Sequence, residues 1–291
     1  MRRKIISTST SSLYDLHINH NIELIRLRLY INNVEFTDGI NINAKRLRNL
    51  MSNLDSSAVH TAPAPRQEVI DLFNKLYNQG YEEVFITTLS SKMSQSHDII
   101  KNAAAEFQDK MDIYVYDCKE LNVCESILAL EAAQLSTHEY SMPKIARRLD
   151  ELRQQHKMLF TVNDLSYLIK NKKLSSTAGF FANIFNIKPI LEVTDDGQIV
   201  TVQKIRTLDK SLDYIIKGFA NCLQNNCFLY ALSAGQTELD NYFISRLKKQ
   251  TKLNNIPILP VSAISLANHG PSGVGLCAFT KEIPHAAQYY R

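Results

Sequence analysis

Several large classes of protein are excluded by what this sequence lacks. Its five cysteines (Cys118, Cys124, Cys222, Cys227, Cys277) form no CxxC pair and no Cys/His ligand spacing. An odd number at irregular gaps suits reduced thiols in a cytosolic protein, packed as small buried hydrophobes. No metal site and no cofactor is expected. Charge of one sign is scarce too: 33 Lys and Arg against 29 Asp and Glu leave +4. A nucleic-acid surface would want a basic stripe with interleaved aromatics, and Arg2-Arg3-Lys4 is only a short solvated start. No stretch approaches the roughly 20 apolar residues of a membrane span, so no stable membrane insertion is expected. Met1-Arg2-Arg3 running into Ile5-Ile6 does not read as a signal peptide. HExxH, GxSxG and GxxxxGK[ST] are missing. No internal repeat or low-complexity tract occurs. The expected location is cytoplasmic.

What is there is an alternation of strands and helices. Ile5-Ile6 reads as a short buried strand ending in STSTSS, and IELIRLRLYI (22–31) as one half-exposed strand. FTDGINI is a turn leading to the helix NAKRLRNLM. RQEVIDLFNKLYNQG carries Val69, Leu72, Phe73, Leu76 and Tyr77 at helical spacing and stops at Gly80. EEVFITTLSS is a strand, QSHDIIKNAAAEFQDK a helix, DIYVYD a strand, CESILALEAAQLS a buried helix and MPKIARRLDELRQQH an amphipathic one. This order predicts a parallel, doubly wound α/β sheet. The second half reads differently: FNIKPILEV and QIVTVQKIRT are two strands joined as a hairpin at Asp195-Asp196-Gly197. Further helices and strands follow. The expected division is 1–155 and 156–291.

In such sheets ligands bind beyond the C-terminal strand ends. STSTSS and TTLSS both fall there. Four polar clusters flank apolar segments: Ser7 to Thr10, His60-Thr61-Ala62-Pro63, Ser90-Ser91 with Ser94, and Asn268-His269-Gly270. Hydroxyls, an amide and an imidazole can together hold a carboxylate or phosphate. The same serines could simply cap a helix, and AGFFANIF (178–185) suits a core helix as well as an acyl pocket. Composition alone reaches a cytosolic α/β protein with a polar-ended cleft.

The order of segments resembles the DegV family of bacterial fatty-acid-binding proteins, which includes the FakB-like subunits of fatty acid kinase. STSTSSL stands where the family has a TDSTADL-like start. HTAPAP resembles TSQPSP, TTLSSKMSQS resembles HLSSGLSGT, and YDCKELN resembles its DSK segment. LSYLIKNKKLSSTAGFFANIFNIKPIL resembles LEYLKKGGRIGKAAALLGSLLNIKPIL. VQKIRT resembles VEKVRT, and NHGPSGVGLCAF resembles THTGPGALGLAF. The resemblance runs nearly end to end. It implies two α/β domains, the first Rossmann-like with a mainly parallel sheet and helices on both faces, the second mixed. It also implies a lipid site between them or at the strand ends, taking one long-chain fatty acid. In the FakB branch a separate kinase phosphorylates the presented carboxylate, and the acyl phosphate feeds phospholipid synthesis; the binding protein is no enzyme itself.

Carried over by position, the carboxylate end falls to His60, Thr61, Ser90, Ser91, Asn268 and His269. Phe180, Phe181, Ile184 and Phe185 are candidates for the tunnel wall, and Lys173 and Arg206 for docking a kinase. The chain departs from the family pattern at several of these places. His60 stands where threonine is usual, and Asn268 where histidine is usual. Lys92 and Gln95 replace glycines, His97 replaces tyrosine, Thr8 replaces an acidic residue, and Asn171-Lys172-Lys173-Leu174 replaces a GGR-I turn. Two alternatives stay open: another acidic amphiphile as ligand, or a Ser/His-dependent esterase or acyltransferase.

Overall fold

A computed structural model describes residues 2–175, 187–224, 227–235, 237–253 and 255–290. The chain starts with strands β1 (Arg3–Thr8), β2 (Glu23–Ile25), β3 (Arg28–Ile31) and β4 (Val34–Thr37). Helix α1 (Ala44–Met51), β5 (Val59–Ala62), α2 (Arg66–Asn78), β6 (Glu83–Thr88), α3 (Ser96–Ala104) and β7 (Asp112–Asp117) come next. Helices α4 (Asn122–Thr137) and α5 (Met142–Arg153) lead to β8 (His156–Val162), α6 (Ser166–Lys170), β9 (Leu174–Ser175), β10 (Lys188–Val193) and β11 (Ile199–Ile205). The last elements are α7 (Leu208–Lys217), β12 (Phe228–Ser233), α8 (Thr237–Thr251), β13 (Ile258–Pro260), α9 (Ala263–His269) and β14 (Gly273–Phe279).

The first sheet has the order β2-β1-β6-β7, and every pairing in it is parallel. Its central strands β1 and β6 are buried on both faces, so they read as apolar runs. Ile6, Val84 and Ile86 point to one face, against Val69 and Phe73 of α2 and Ile100 and Ala103 of α3. Ile5 and Phe85 point to the other, against Ile127 and Leu128 of α4. This is the doubly wound arrangement the sequence predicts. The strand order reverses between β1 and β6, and the crevice at such a reversal is the usual ligand position.

The second sheet has the order β13-β12-β14-β8-β10-β11-β9 and mixes parallel with antiparallel pairs. Leu159, Ile190, Ala231 and Leu276 face α7 and α8. Met158, Leu191, Tyr230 and Cys277 face the cluster that also contains α4. Helix α4 is buried at every residue from Asn122 to Ala132, as a helix enclosed by packed layers must be. The predicted hairpin is present: β10 and β11 pair antiparallel, and Gly197 N donates to Thr194 O at 2.8 Å.

One predicted strand divides. Residues 22–31 form β2, parallel to β1, and then β3, in a separate sheet of order β4-β3-β5. The cause is local: Leu27 N donates to Ser9 Oγ at 3.0 Å instead of to a strand, and Arg26 reaches Asp38 O at 2.9 Å.

Candidate functional site

Beyond the C-terminal ends of β1 and β6 lies a cavity of about 390 Å³, within the range of small-ligand pockets. Its apolar wall includes Leu27, Leu89, Met93, Met158, Phe160, Leu168, Val193, Ile199, Leu232 and Ile264. Both sheets therefore contribute to it. Polar side chains enter from several elements: Thr10 after β1, Thr61 on β5, Ser91 after β6, and Asn268 and His269 at the end of α9. Lys92, Lys172 and Lys173 also line it, and no Asp or Glu does among the described residues. Lys92 and Lys172 are exposed, so they stand at its rim. Lys173 is half-buried, its Nζ donating to Met93 O at 2.6 Å; burial lowers its pKa from the ordinary lysine value.

Two buried polar atoms along this wall have no partner among the described residues: Asn268 Oδ1 and His269 Nδ1. Such atoms are costly unless something satisfies them. Asn268 is held in place by its amide, whose Nδ2 donates to Ile264 O at 2.7 Å and to Thr61 Oγ1 at 3.2 Å. Burial pushes His269 down to about 4, so the imidazole is neutral at pH 7. Gly270 ends α9 with φ of 89°, and a Cβ there would stand 2.8 Å from the Tyr167 ring.

Of the six residues expected at a carboxylate end, four line the cavity: Thr61, Ser91, Asn268 and His269. Two do not. His60 alternates with Thr61 on β5, is exposed, and stacks on Tyr30 at 4.8 Å between ring centroids. The strand period turns one of two neighbours outward. Ser90 is fully buried and spends its hydroxyl on Gly197 O at 2.7 Å, while accepting from Lys92 N. It fastens the β10–β11 turn to the end of β6. Lys173 lies in the cavity wall instead of projecting freely, and Arg206 is exposed beyond β11. Phe180, Phe181, Ile184 and Phe185 lie outside the described residues.

Most hydroxyls of STSTSS serve the structure. Ser7, Thr8 and Thr10 all donate to the carboxyl group of Glu125 on α4, Thr10 at 2.5 Å. Thr8 Oγ1 also accepts from Leu89 N, tying the ends of β1 and β6 together. Burial lifts Glu125 to about 8, against the lowering pull of these hydroxyls. Glu125 thus brings an acidic group to the cluster in which the chain itself has Thr8. Through Thr10 the cluster reaches the cavity wall.

Sequence reasoning missed Glu125, Asn122 and Ser265. Asn122 lines the cavity with φ of 56°, a conformation asparagine tolerates, and its Oδ1 accepts from Ser262 N and Ser265 Oγ.

A family model described as "Uncharacterised protein, DegV family" matches residues 2–281. A DegV domain-containing protein of Clostridium acetobutylicum is 27% identical over 279 residues, covering 94% of this chain and 96% of that one. One from Staphylococcus aureus is 26% identical over 284 residues, covering 95% and 98%. Among solved structures, a protein of Streptococcus agalactiae described as a fatty acid binding DegV family protein superposes with a TM-score of 0.86 at 18% identity, covering 97% of this chain and 99% of that one. The DegV of Bacillus subtilis, described as a fatty acid binding protein, gives 0.81 at 22% identity, covering 96% and 99%. A protein of Eubacterium eligens loaded with heptadecanoic acid gives 0.77 at 16% identity, covering 96% and 100%. At these identities the structures establish a shared fold.

Proposed function

We propose, from the premise that the chain belongs to the DegV family, that it binds one long-chain fatty acid in this cavity. The acyl chain lies along the apolar wall, and the carboxylate meets Thr61, Ser91 and His269, with the Asn268 amide orienting the Thr61 hydroxyl. The observation that carries this reading is the pairing of an apolar wall with a polar end that offers the Thr61, Ser91 and His269 donors, three lysines and no acid among the described residues. An anionic head group on an apolar tail suits both. Each buried methylene contributes about 0.8 kcal/mol, so a long chain binds tightly with few polar contacts. The buried charge needs donors. Ser91, Thr61 and neutral His269 can donate, and the Lys92 and Lys172 ammonium groups at the rim attract the anion. Solved relatives described as fatty acid binding, one of them loaded with heptadecanoic acid, support the same ligand class.

Binding fits the geometry better than ester hydrolysis does. A serine nucleophile needs a histidine within hydrogen-bond reach. His60 is turned outward, and His269 Nδ1 meets no hydroxyl among the described residues. The reading extends to presentation of the carboxylate to a separate fatty acid kinase, with exposed Arg206 offered for docking. The chain would then act as a carrier and leave the chemistry to its partner.

Displacement of a fluorescent fatty acid tests the site. Thr61→Val and Ser91→Ala each remove a donor placed at the head. A hydrogen bond to a charged group is worth about 1.5–3 kcal/mol, so each variant should bind roughly ten- to a hundredfold more weakly. His60→Ala should bind as the native chain does. Unchanged affinity in both cavity variants would remove the head group from this end of the cavity.

A further inference from the structure

A second constellation, which fatty acid binding does not use, lies where α4 packs against β8. Glu120 precedes α4, Cys124 sits in its first turn, and His156 opens β8. One ligand atom from each lies within 4.8 Å of the other two. His156 Nδ1 is 2.6 Å from Glu120 Oε1, and His156 Nε2 is 2.8 Å from the Tyr230 hydroxyl. The His156 side chain is wholly buried and that of Glu120 is 7% exposed. Glu120 Oε2 has no partner among the described residues. Cys124 is fully buried. A carboxylate with an idle oxygen, a thiol and an imidazole in one dry space are costly as a merely structural set. Hydrophobic side chains would pack there without that cost.

We propose that Glu120, Cys124 and His156 bind a divalent transition metal of borderline softness, such as zinc(II). The donor set of one sulfur, one nitrogen and one oxygen is that of zinc and cobalt rather than of magnesium or calcium. Bonds of about 2.0–2.3 Å meeting tetrahedrally place donor atoms roughly 3.3–3.7 Å apart. The His156–Glu120 contact must open by about 1 Å to reach that spacing, and the separations to Cys124 Sγ, at most 4.8 Å, must close by no more than about 1.5 Å. Charge favours the site. A glutamate, a thiolate and a neutral imidazole around a divalent cation sum to zero, so the complex can stay buried. On binding, the Cys124 thiol loses its proton to solvent, as metal-bound thiols do. The metal takes the Nδ1 lone pair of His156, and Nε2–H donates to Tyr230, which fixes the tautomer and the ring. The fourth position goes to water or to a neighbouring thiol. The bound ion would pin α4 to β8 and so join the layers on either side of the helix.

The full chain, refolded with cobalt(II) and dialysed, provides the test. The proposal predicts one equivalent of retained metal and a thiolate-to-cobalt charge-transfer band. Cys124→Ser should abolish the band. Tyr230→Phe should keep it while weakening metal affinity about 10–100-fold, the usual cost of losing an outer hydrogen bond. Cys227→Ser, outside the cluster, should change nothing. If Cys124→Ser fails to fold, X-ray absorption of the zinc-loaded native chain decides, since a shell with one sulfur supports the site and a shell of nitrogen and oxygen alone overturns it. Failure of the native chain to retain metal, or a band that survives in a folded Cys124→Ser, overturns it as well.

Discussion

Glu125 shows how much the surroundings of one side chain decide. Its carboxyl receives three hydroxyls and no cation, and burial raises it from 4.5 to about 8. The folded chain therefore holds a proton that the unfolded chain has lost at every pH between those values. Stability from this group is fully present below about 4.5 and is lost as pH rises through about 8. The slope approaches about 1.4 kcal/mol per pH unit inside that window. Asp38, buried and raised to about 7, acts in the same direction, and His269, lowered to about 4, acts in the opposite one. Glu125→Gln keeps the shape without the titrating proton. Chemical denaturation across pH 5–9 should show a flatter decline in the variant than in the native chain, with the remaining decline belonging to Asp38 and to the other carboxyls that burial raises, among them Glu131 and Glu192. Equal slopes would mean that Glu125 is already ionised in the folded protein. Single residues were also where the sequence was least legible. Motif position nominates His60 with Thr61, and Ser90 with Ser91, but in each pair one side chain faces the cavity and the other does not. A one-residue difference in facing is invisible without the strand's register.

Between elements, the contact of the β10–β11 turn with the end of β6 joins the two sheets beside the cavity. Gly197 makes it possible. Its φ is 88°, and a Cβ there would stand 2.3 Å from Ser90 Oγ and 3.1 Å from Lys119 Cα. Gly197→Ala therefore meets both a left-handed backbone and backbone atoms that cannot yield. The expected loss is about 1–3 kcal/mol, read as a lower denaturation midpoint, together with weaker fatty acid binding because the Ser91–Lys92 segment shifts. A variant as stable as the native chain would contradict this account of the turn. Elements were largely legible because apolar periodicity fixes them: β1, α2, β6, α3, β7 and α4 stand where the alternation puts them. The exception, the division of residues 22–31, came from a hydroxyl 18 residues away taking the Leu27 N–H. The β3–β4 turn was also overlooked, although Asn32 and Asn33, both at positive φ, are a hairpin signal.

For the molecule as a whole, the sequence carries the fold and the general position of the site, because a parallel sheet's order sets where its crevice opens. It does not carry which donor atoms meet at the polar end, since that depends on side chains brought together from separate elements: Thr61 from β5, Ser91 from the end of β6 and His269 from α9. Those atoms are the reason for proposing an acidic head group there. Native mass spectrometry of the freshly purified full chain, with its organic extract identified by mass, tests the central claim most directly. The account predicts one long-chain fatty acid per chain, released by extraction and restored on incubation. A chain that purifies at its bare mass and takes up no fatty acid would contradict it.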